Sequence, residues 1–116
     1  MTASMTAFEF GDVILVPFPF TDQSTSKKRP ALVISSRTYN EERPDLIIMA
    51  VTSRIRSNPV IGDVTIQRWQ EAGLLKPSVA KPVVTTIEKA LVIKTMGRLG
   101  QDDSQALQAC LEEILG

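Results

Sequence analysis

The chain has 116 residues, 43% of them hydrophobic and 22% charged, and its 13 basic and 13 acidic side chains cancel. This length fits one domain with a core of its own, and the neutral balance excludes a global field that would attract nucleic acid or membranes. The sequence has no histidine, which excludes histidine-based nucleophile systems and histidine-ligated zinc, and its one cysteine is typical of a reducing cytoplasm.

The first half of the chain alternates apolar runs with polar segments. We expect a frayed leader over residues 1–8, followed by one domain over residues 9–116. Apolar runs rich in β-branched residues predict three strands, over residues 11–20, 30–36 and 46–53. The polar segments between these strands, residues 21–28 and 38–45, predict loops.

The second half adds further strands and then a helix. We expect a loop and strand over residues 55–66, a helical turn that ends at Gly73, and two strands over roughly 79–87 and 91–98. The last segment has acidic residues in its first turn and apolar residues at helical spacing, namely Asp102, Asp103, Leu107, Leu111 and Ile114. Strands without regularly interleaved helices predict a mainly β fold, an antiparallel sheet or small barrel, with a C-terminal α-helix.

A cluster of three cations stands where the second predicted strand begins. Lys27, Lys28 and Arg29 follow a polar loop and precede Pro30, which fixes the backbone at the strand entry. A guanidinium carries a planar fork of donors that matches two phosphate oxygens. Arg29 is therefore a candidate phosphate ligand, although a solvated surface arginine has the same sequence pattern.

The third predicted strand also ends in polar and basic residues. Thr52 and Ser53 supply two hydroxyl groups, and Arg54 and Arg56 supply two cations directly after them. Such a group would form the second half of an oxyanion site if both strand ends lined one groove. Ordinary strand-to-loop chemistry is the simpler explanation of this pattern when it is taken alone.

The remaining candidates have simpler interpretations. Trp69 would stack on a base or, more simply, anchor a helical turn to the core. Cys110 lies on the terminal helix, where we expect it to pack. We find no metal-ligand constellation and no phosphate-binding glycine loop, so we expect neither a metal nor a cofactor.

Several segments together resemble the MazF/PemK family, the toxins of bacterial toxin–antitoxin pairs. They read "GDVILVPFPFTD", "KKRPALVISS", "LIIMAVTSRI", "GDVTI" and "MGRLGQDD", and the resemblance extends from about Gly11 to Leu115. It implies a compact SH3-like antiparallel β-barrel that forms a homodimer in the cytoplasm. It also implies metal-independent, sequence-selective cleavage of single-stranded RNA, and inhibition by a cognate antitoxin with an acidic flexible segment.

The resemblance assigns catalysis to the arginine of the "RP" segment and to the threonine that ends the third strand, here Arg29 and Thr52. Lys27, Lys28, Ser53, Arg54 and Arg56 are then candidates for RNA binding. The loop before the arginine departs from the Gly-Ser-Glu-Gln-like sequence of better-known members. Ser24 and Ser26 are the residues of this chain that we expect to replace its RNA contacts.

Two other functions compete with the ribonuclease. A gyrase-poisoning CcdB-like toxin would have a similar fold, but such toxins engage gyrase through a Trp-containing C-terminal end, and the only Trp here is Trp69. An SH3-like interaction module without catalysis would use the three cations as a docking edge. Cleavage of RNA in EDTA that requires Arg29 would separate the nuclease from both.

Overall fold

The computed structural model describes residues 7–17, 27–58 and 60–116. Their strands form one antiparallel sheet of six strands in the spatial order β4-β5-β3-β2-β1-β6. The strands are β1 (Asp12–Pro17), β2 (Lys28–Val33), β3 (Asp45–Thr52), β4 (Val64–Ile66), β5 (Ser78–Glu88) and β6 (Lys94–Arg98). The predicted mainly β, antiparallel fold is confirmed, although β2 begins two residues earlier than Pro30.

The sheet curls so that its two ends approach each other. β4 and β6 stand at opposite ends of the strand order. Nevertheless, the turn that follows β4 packs directly on the backbone of β6, where a Cβ atom added at Gly73 would overlap the carbonyl oxygen of Met96. Gly73 has a φ of +89°, a conformation that favours glycine. The predicted turn at Gly73 is thus present, and it closes the sheet into a half-barrel.

Both faces of the central strands are buried. Val13, Leu32 and Met49 face one apolar cluster, whereas their chain neighbours Ile14 and Ile48 face the other. Because successive strand residues point to opposite faces, burial on both sides requires continuous apolar runs, as the sequence has in these strands. Trp69 is half-buried against the first cluster, which confirms its role as a core anchor.

Within the described residues, two α-helices accompany the sheet, α1 (Arg37–Glu42) and α2 (Gln101–Leu115), together with a short 3-10 helix over Lys89–Leu91. The prediction of a loop over residues 38–45 was wrong for α1. Its signal was Ser36, whose hydroxyl oxygen accepts a hydrogen bond from the Tyr39 N–H at 3.1 Å as an N-cap. None of the helices in the described part of the chain is long and apolar enough to cross a membrane.

The terminal helix packs by its predicted apolar face, but its acidic first turn has an unexpected role. Gly100 is the N-cap, and Asp103 is buried. Its two carboxylate oxygens accept hydrogen bonds from the backbone N–H groups of Gln67 and Arg68, each at 2.9 Å. Asp103 therefore ties the helix to the turn after β4.

The predicted leader and loop fall partly outside the described residues. Residues 1–6 are not described, and neither are Ser24 and Ser26. Phe8 is described, and its side chain is buried in the second apolar cluster. Burial of its ring packs the chain ahead of β1 into the core, and the leader expected over residues 1–8 stays a prediction for the residues before it.

The junction of α1 with β3 makes folding stability depend on pH. Asp45 accepts hydrogen bonds from the Tyr39 hydroxyl and from Arg43 Nε, both at 2.9 Å. Desolvation opposes ionisation, but the two hydrogen bonds and the Arg43 charge outweigh it and lower the pKa of the Asp45 carboxyl.

A carboxyl with a lowered pKa stabilises the fold above its unfolded-state pKa and loses that contribution as the pH falls through its folded-state value. We expect Asp45→Asn to unfold at a lower urea concentration than wild type at pH 7. This difference should shrink as the pH falls from about 5 towards 2. Urea titrations across that range measure it, with the exposed Glu42→Gln as a matched control. A difference that is constant with pH would contradict the role of the Asp45 charge.

Candidate active site

Three strand ends meet at one pocket because the strands involved are neighbours that alternate in direction. β2, β3 and β5 are consecutive in the sheet, so the start of β2, the end of β3 and the start of β5 lie at the same edge. Continuing the β2–β3 register two residues beyond the pair Ala31–Ala50 brings Arg29 across from Thr52. Thr52 in turn pairs with Val79, directly after the first residue of β5.

The pocket at this edge has a volume of about 360 Å³. Its described lining combines three chemical types: apolar residues, cations and hydroxyl groups. They are, in that order, Leu15, Pro30, Val51, Leu74, Leu75 and Met96; Lys27, Lys28, Arg29 and Lys76; and Thr52, Ser53 and Ser78. Cations and hydroxyls beside an apolar floor suit a ligand that carries both phosphate and an apolar ring.

The pocket cations are not neutralised by neighbouring carboxylates of the described residues. The six ion pairs there use only Arg37, Arg43, Arg68 and Arg98 as their cations. No Asp or Glu occurs in the described lining of the pocket. Meanwhile α2 contains four acidic residues and no basic one. The chain is neutral as a whole, but its described residues make the pocket locally positive, which favours an anionic ligand there.

Thr52 is held in a defined orientation by the chain that follows it. Thr52 is half-buried, and its hydroxyl oxygen accepts a hydrogen bond from the Arg54 backbone N–H at 3.1 Å. Since the N–H occupies one lone pair of the oxygen, the hydroxyl proton remains available for donation to a ligand in the pocket. Ser53, by contrast, is exposed at the rim.

The predicted site residues divide into three groups. Arg29, Thr52, Lys27, Lys28 and Ser53 are brought together at the pocket. Arg54 and Arg56 instead line a smaller depression of about 100 Å³, with Asp63 and Lys81 among its other lining residues. Ser24 and Ser26 lie outside the described residues.

Lys76 and Ser78 line the pocket but were missed from the sequence. The available signal was "KPS" at residues 76–78, because a cation followed by proline at a strand entry repeats the pattern of Arg29 and Pro30. We predicted a helical turn that ends at Gly73 and a strand that begins at about residue 79, so residues 76–78 fell between these two elements and the pattern went unused. The "KPS" pattern indicates a site residue only once β2, β3 and β5 are known to be neighbours in the sheet.

The other reactive groups of the described chain have little to offer as catalysts. Cys110 is buried on α2, and burial, with the charges of Glu113 and Asp63, raises the pKa of its thiol. No three His, Cys, Asp or Glu side chains of the described residues are grouped as a metal site requires. The chemistry of the pocket therefore depends on its cations and hydroxyls.

The sequence of residues 9–115 matches the family model of the PemK-like, MazF-like toxins of type II toxin–antitoxin systems. No curated protein matches the chain in sequence. The fold is similar to that of a mycobacterial endoribonuclease solved in complex with its cognate antitoxin, with a TM-score of 0.77, 17% identity, and coverage of 95% of this chain and 96% of that one.

Two further solved structures are similar in fold to this chain. One is a MazE–MazF complex from Deinococcus radiodurans, with a TM-score of 0.75, 21% identity, and coverage of 96% of this chain and 98% of that one. The other is the toxin MazF-mt6 from Mycobacterium tuberculosis, with a TM-score of 0.72, 17% identity, and coverage of 90% and 95%. At these identities the likeness establishes the fold.

Proposed function

Because the chain belongs to the PemK-like, MazF-like toxins of type II toxin–antitoxin systems, we propose that it is a metal-independent, sequence-selective endoribonuclease of single-stranded RNA. The observation that carries this proposal is the pocket where Arg29, Thr52 and three lysines meet without a carboxylate in the described lining. RNA brings its own nucleophile, the 2′-OH, so a protein without histidine can still cleave it. DNA lacks this group and would not be cut.

Arg29 supplies the main catalytic effect. The 2′-OH attacks the adjacent phosphorus and loses its proton to water, while the bond to the 5′-oxygen breaks and that oxygen takes up a proton from water. Negative charge grows on the phosphoryl oxygens during this exchange. The Arg29 guanidinium stays charged at any working pH and offers two parallel donors to those oxygens. It sits half-buried at the entry of β2, held by the following Pro30. A donor fixed in place before the reaction stabilises the transition state without reorganisation.

Thr52 orients the phosphate. Its hydroxyl oxygen accepts a hydrogen bond from the Arg54 N–H. The hydroxyl proton is therefore free to be donated to a phosphoryl oxygen opposite Arg29. The described lining has neither a carboxylate nor an imidazole to act as general base. We therefore assign the rate enhancement to charge stabilisation and alignment.

Cleavage of a long single-stranded RNA by the purified protein in EDTA tests the proposal. We expect cuts at a short recurring sequence, with 2′,3′-cyclic phosphate on one end and 5′-OH on the other. Cleavage that needs added Mg²⁺ would contradict metal independence. Intact RNA from folded, antitoxin-free protein would overturn the nuclease and favour a binding module without catalysis.

We expect Thr52→Ala to slow cleavage by about tenfold to a hundredfold, less than loss of Arg29, because one neutral donor contributes less than a charged fork. Thr52→Ser keeps the hydroxyl and should retain most of the rate. Single-turnover rates on one defined RNA measure both. Equal loss in the Ser and Ala variants would show that the methyl group of Thr52 matters and not its hydroxyl.

The partners follow from the same family. The mycobacterial neighbour is solved with its cognate antitoxin and the Deinococcus neighbour as MazE–MazF. For this chain we propose a cognate antitoxin whose acidic, apolar segment complements the cations and apolar floor of the pocket. We also propose a homodimer that acts on RNA in the cytoplasm. Sedimentation analysis tests the dimer, and competition between antitoxin peptide and RNA tests the shared site.

A further inference from the structure

Residues 74–78 form a wall of the pocket that no part of the proposed chemistry uses. Leu74, Leu75, Lys76 and Ser78 of this segment all line the pocket beside Arg29 and Thr52. The side chain of Leu75 is 85% exposed, and Lys76 is exposed as well. The wall thus presents one apolar and one cationic side chain to any ligand of the catalytic groups.

The wall is fixed at both ends. At one end the Leu74 N–H donates to the Trp69 carbonyl at 3.0 Å, next to the close contact of Gly73 with β6. At the other end Ser78 pairs with Ile66 of β4, and its buried hydroxyl donates to the Lys76 carbonyl at 2.8 Å. Leu75 and Lys76 therefore project from a backbone that is ordered before any ligand binds.

The lysine is available for a ligand anion. Lys76 takes part in none of the ion pairs among the described residues. It stands on the β5 side of the site, whereas Arg29 enters from β2 on the other side of β3. The two cations are thus separated by a strand, so one phosphate held by Arg29 leaves Lys76 for the next phosphate along the RNA.

We propose that this wall binds the nucleotide next to the cleaved bond, with Lys76 on its phosphate and Leu75 against its base. The inference rests on the proposed function and names a part of the substrate contact within it. The pocket volume of about 360 Å³ lies near the lower limit for small-ligand sites, roughly 300 Å³. That volume suits a single nucleotide. Ser78 is a positioning residue, because it holds the Lys76 carbonyl.

Binding and cleavage must be measured separately to test the wall. The probe for binding is single-stranded DNA with the sequence of a cleaved RNA, because it lacks the 2′-OH nucleophile. We expect Lys76→Met to weaken binding about fivefold at low salt and to reduce the salt slope by about one phosphate. Lys76→Arg should restore both values. Lys94→Met, a lysine outside the pocket lining, should change neither.

Cleavage kinetics then distinguish recognition from structure. Lys76→Met should raise KM by about fivefold with kcat nearly unchanged. Leu75→Ala should reduce sequence preference by about threefold to tenfold at one position beside the cut, and Leu75→Met should retain it. If DNA binding, its salt slope and the sequence preference of cleavage were unchanged in these variants while the wild type cleaves RNA, the proposed role of the wall would be wrong. If the wild type bound DNA in a way that depends on Lys76 but cut no RNA, the proposed ribonuclease activity would be wrong and the proposed role of the wall would stand. A wild type that binds no oligonucleotide would overturn both.

Discussion

Arg29→Ala is expected to slow RNA cleavage by about a hundredfold to a thousandfold, equivalent to about 3–4 kcal/mol of lost transition-state stabilisation. The reason is that Arg29 is the half-buried cation facing Thr52 across the end of the sheet, where phosphoryl charge would develop. No second guanidinium lines the described part of the pocket. The loss should appear in kcat more than in KM, since the charge it stabilises grows during the reaction.

Single-turnover cleavage of one defined RNA measures this loss. Arg29→Lys keeps a charge but loses the planar fork, so it should recover only part of the rate. The matched control is Arg37→Ala, because Arg37 is an exposed arginine whose ion pairs are with Glu9 and Glu41. Folding is checked by urea titration of each variant. An Arg29→Ala protein that cleaves at the wild-type rate would refute the assignment of the site.

Gly73→Ala is expected to destabilise the fold by about 2–5 kcal/mol. Two effects combine at this position: a positive φ that L-residues tolerate poorly, and the overlap of a Cβ atom with the Met96 carbonyl. Because this contact closes the half-barrel and anchors residues 74–78, relief of the overlap would also displace the pocket wall. We therefore expect reduced RNA cleavage as well as reduced stability.

Two matched glycines separate the effects. Gly97→Ala introduces the reciprocal overlap, with the Ala72 carbonyl, at a position without positive φ, and should cost about 1–3 kcal/mol. Gly11→Ala has a φ of +91° but only ordinary contacts, the nearest being Ser104 Oγ at 3.6 Å, and should cost about 1–2 kcal/mol. Free energies of unfolding from urea titrations give the ranking. If Gly73→Ala lowered the free energy of unfolding no more than Gly11→Ala does, the half-barrel would not depend on the contact between Gly73 and Met96.

The strands were predictable because their burial on both faces requires continuous apolar runs in the sequence. β1, β2 and β3 are buried on both faces, so they require apolar runs that any reader of the sequence finds. The terminal helix was predictable from the spacing of Leu107, Leu111 and Ile114. Helix α1 was not, because residues 37–42 are polar apart from Tyr39 and the helix depends on one N-cap serine.

The site was only half predictable. Residue types made the cations and hydroxyl groups at two strand ends candidates, and the resemblance to the MazF/PemK family singled out Arg29 and Thr52 among them. Local sequence also placed Arg54 and Arg56 with them, but these two residues line a different depression. The part of Arg54 that serves Thr52 is its backbone N–H, which residue type does not reveal.

The sequence by itself determined the strands, the terminal helix and the chemical groups available for catalysis, because these depend on composition and on neighbours within a few residues. The tertiary structure alone decided which groups meet. Alternating strand direction brings the start of β2, the end of β3 and the start of β5 to one edge. This arrangement adds Lys76 to Arg29 and Thr52, although the three residues are 23 and 24 positions apart along the chain. Such proximity arises from hydrogen bonding between strands, which no local pattern of residues encodes.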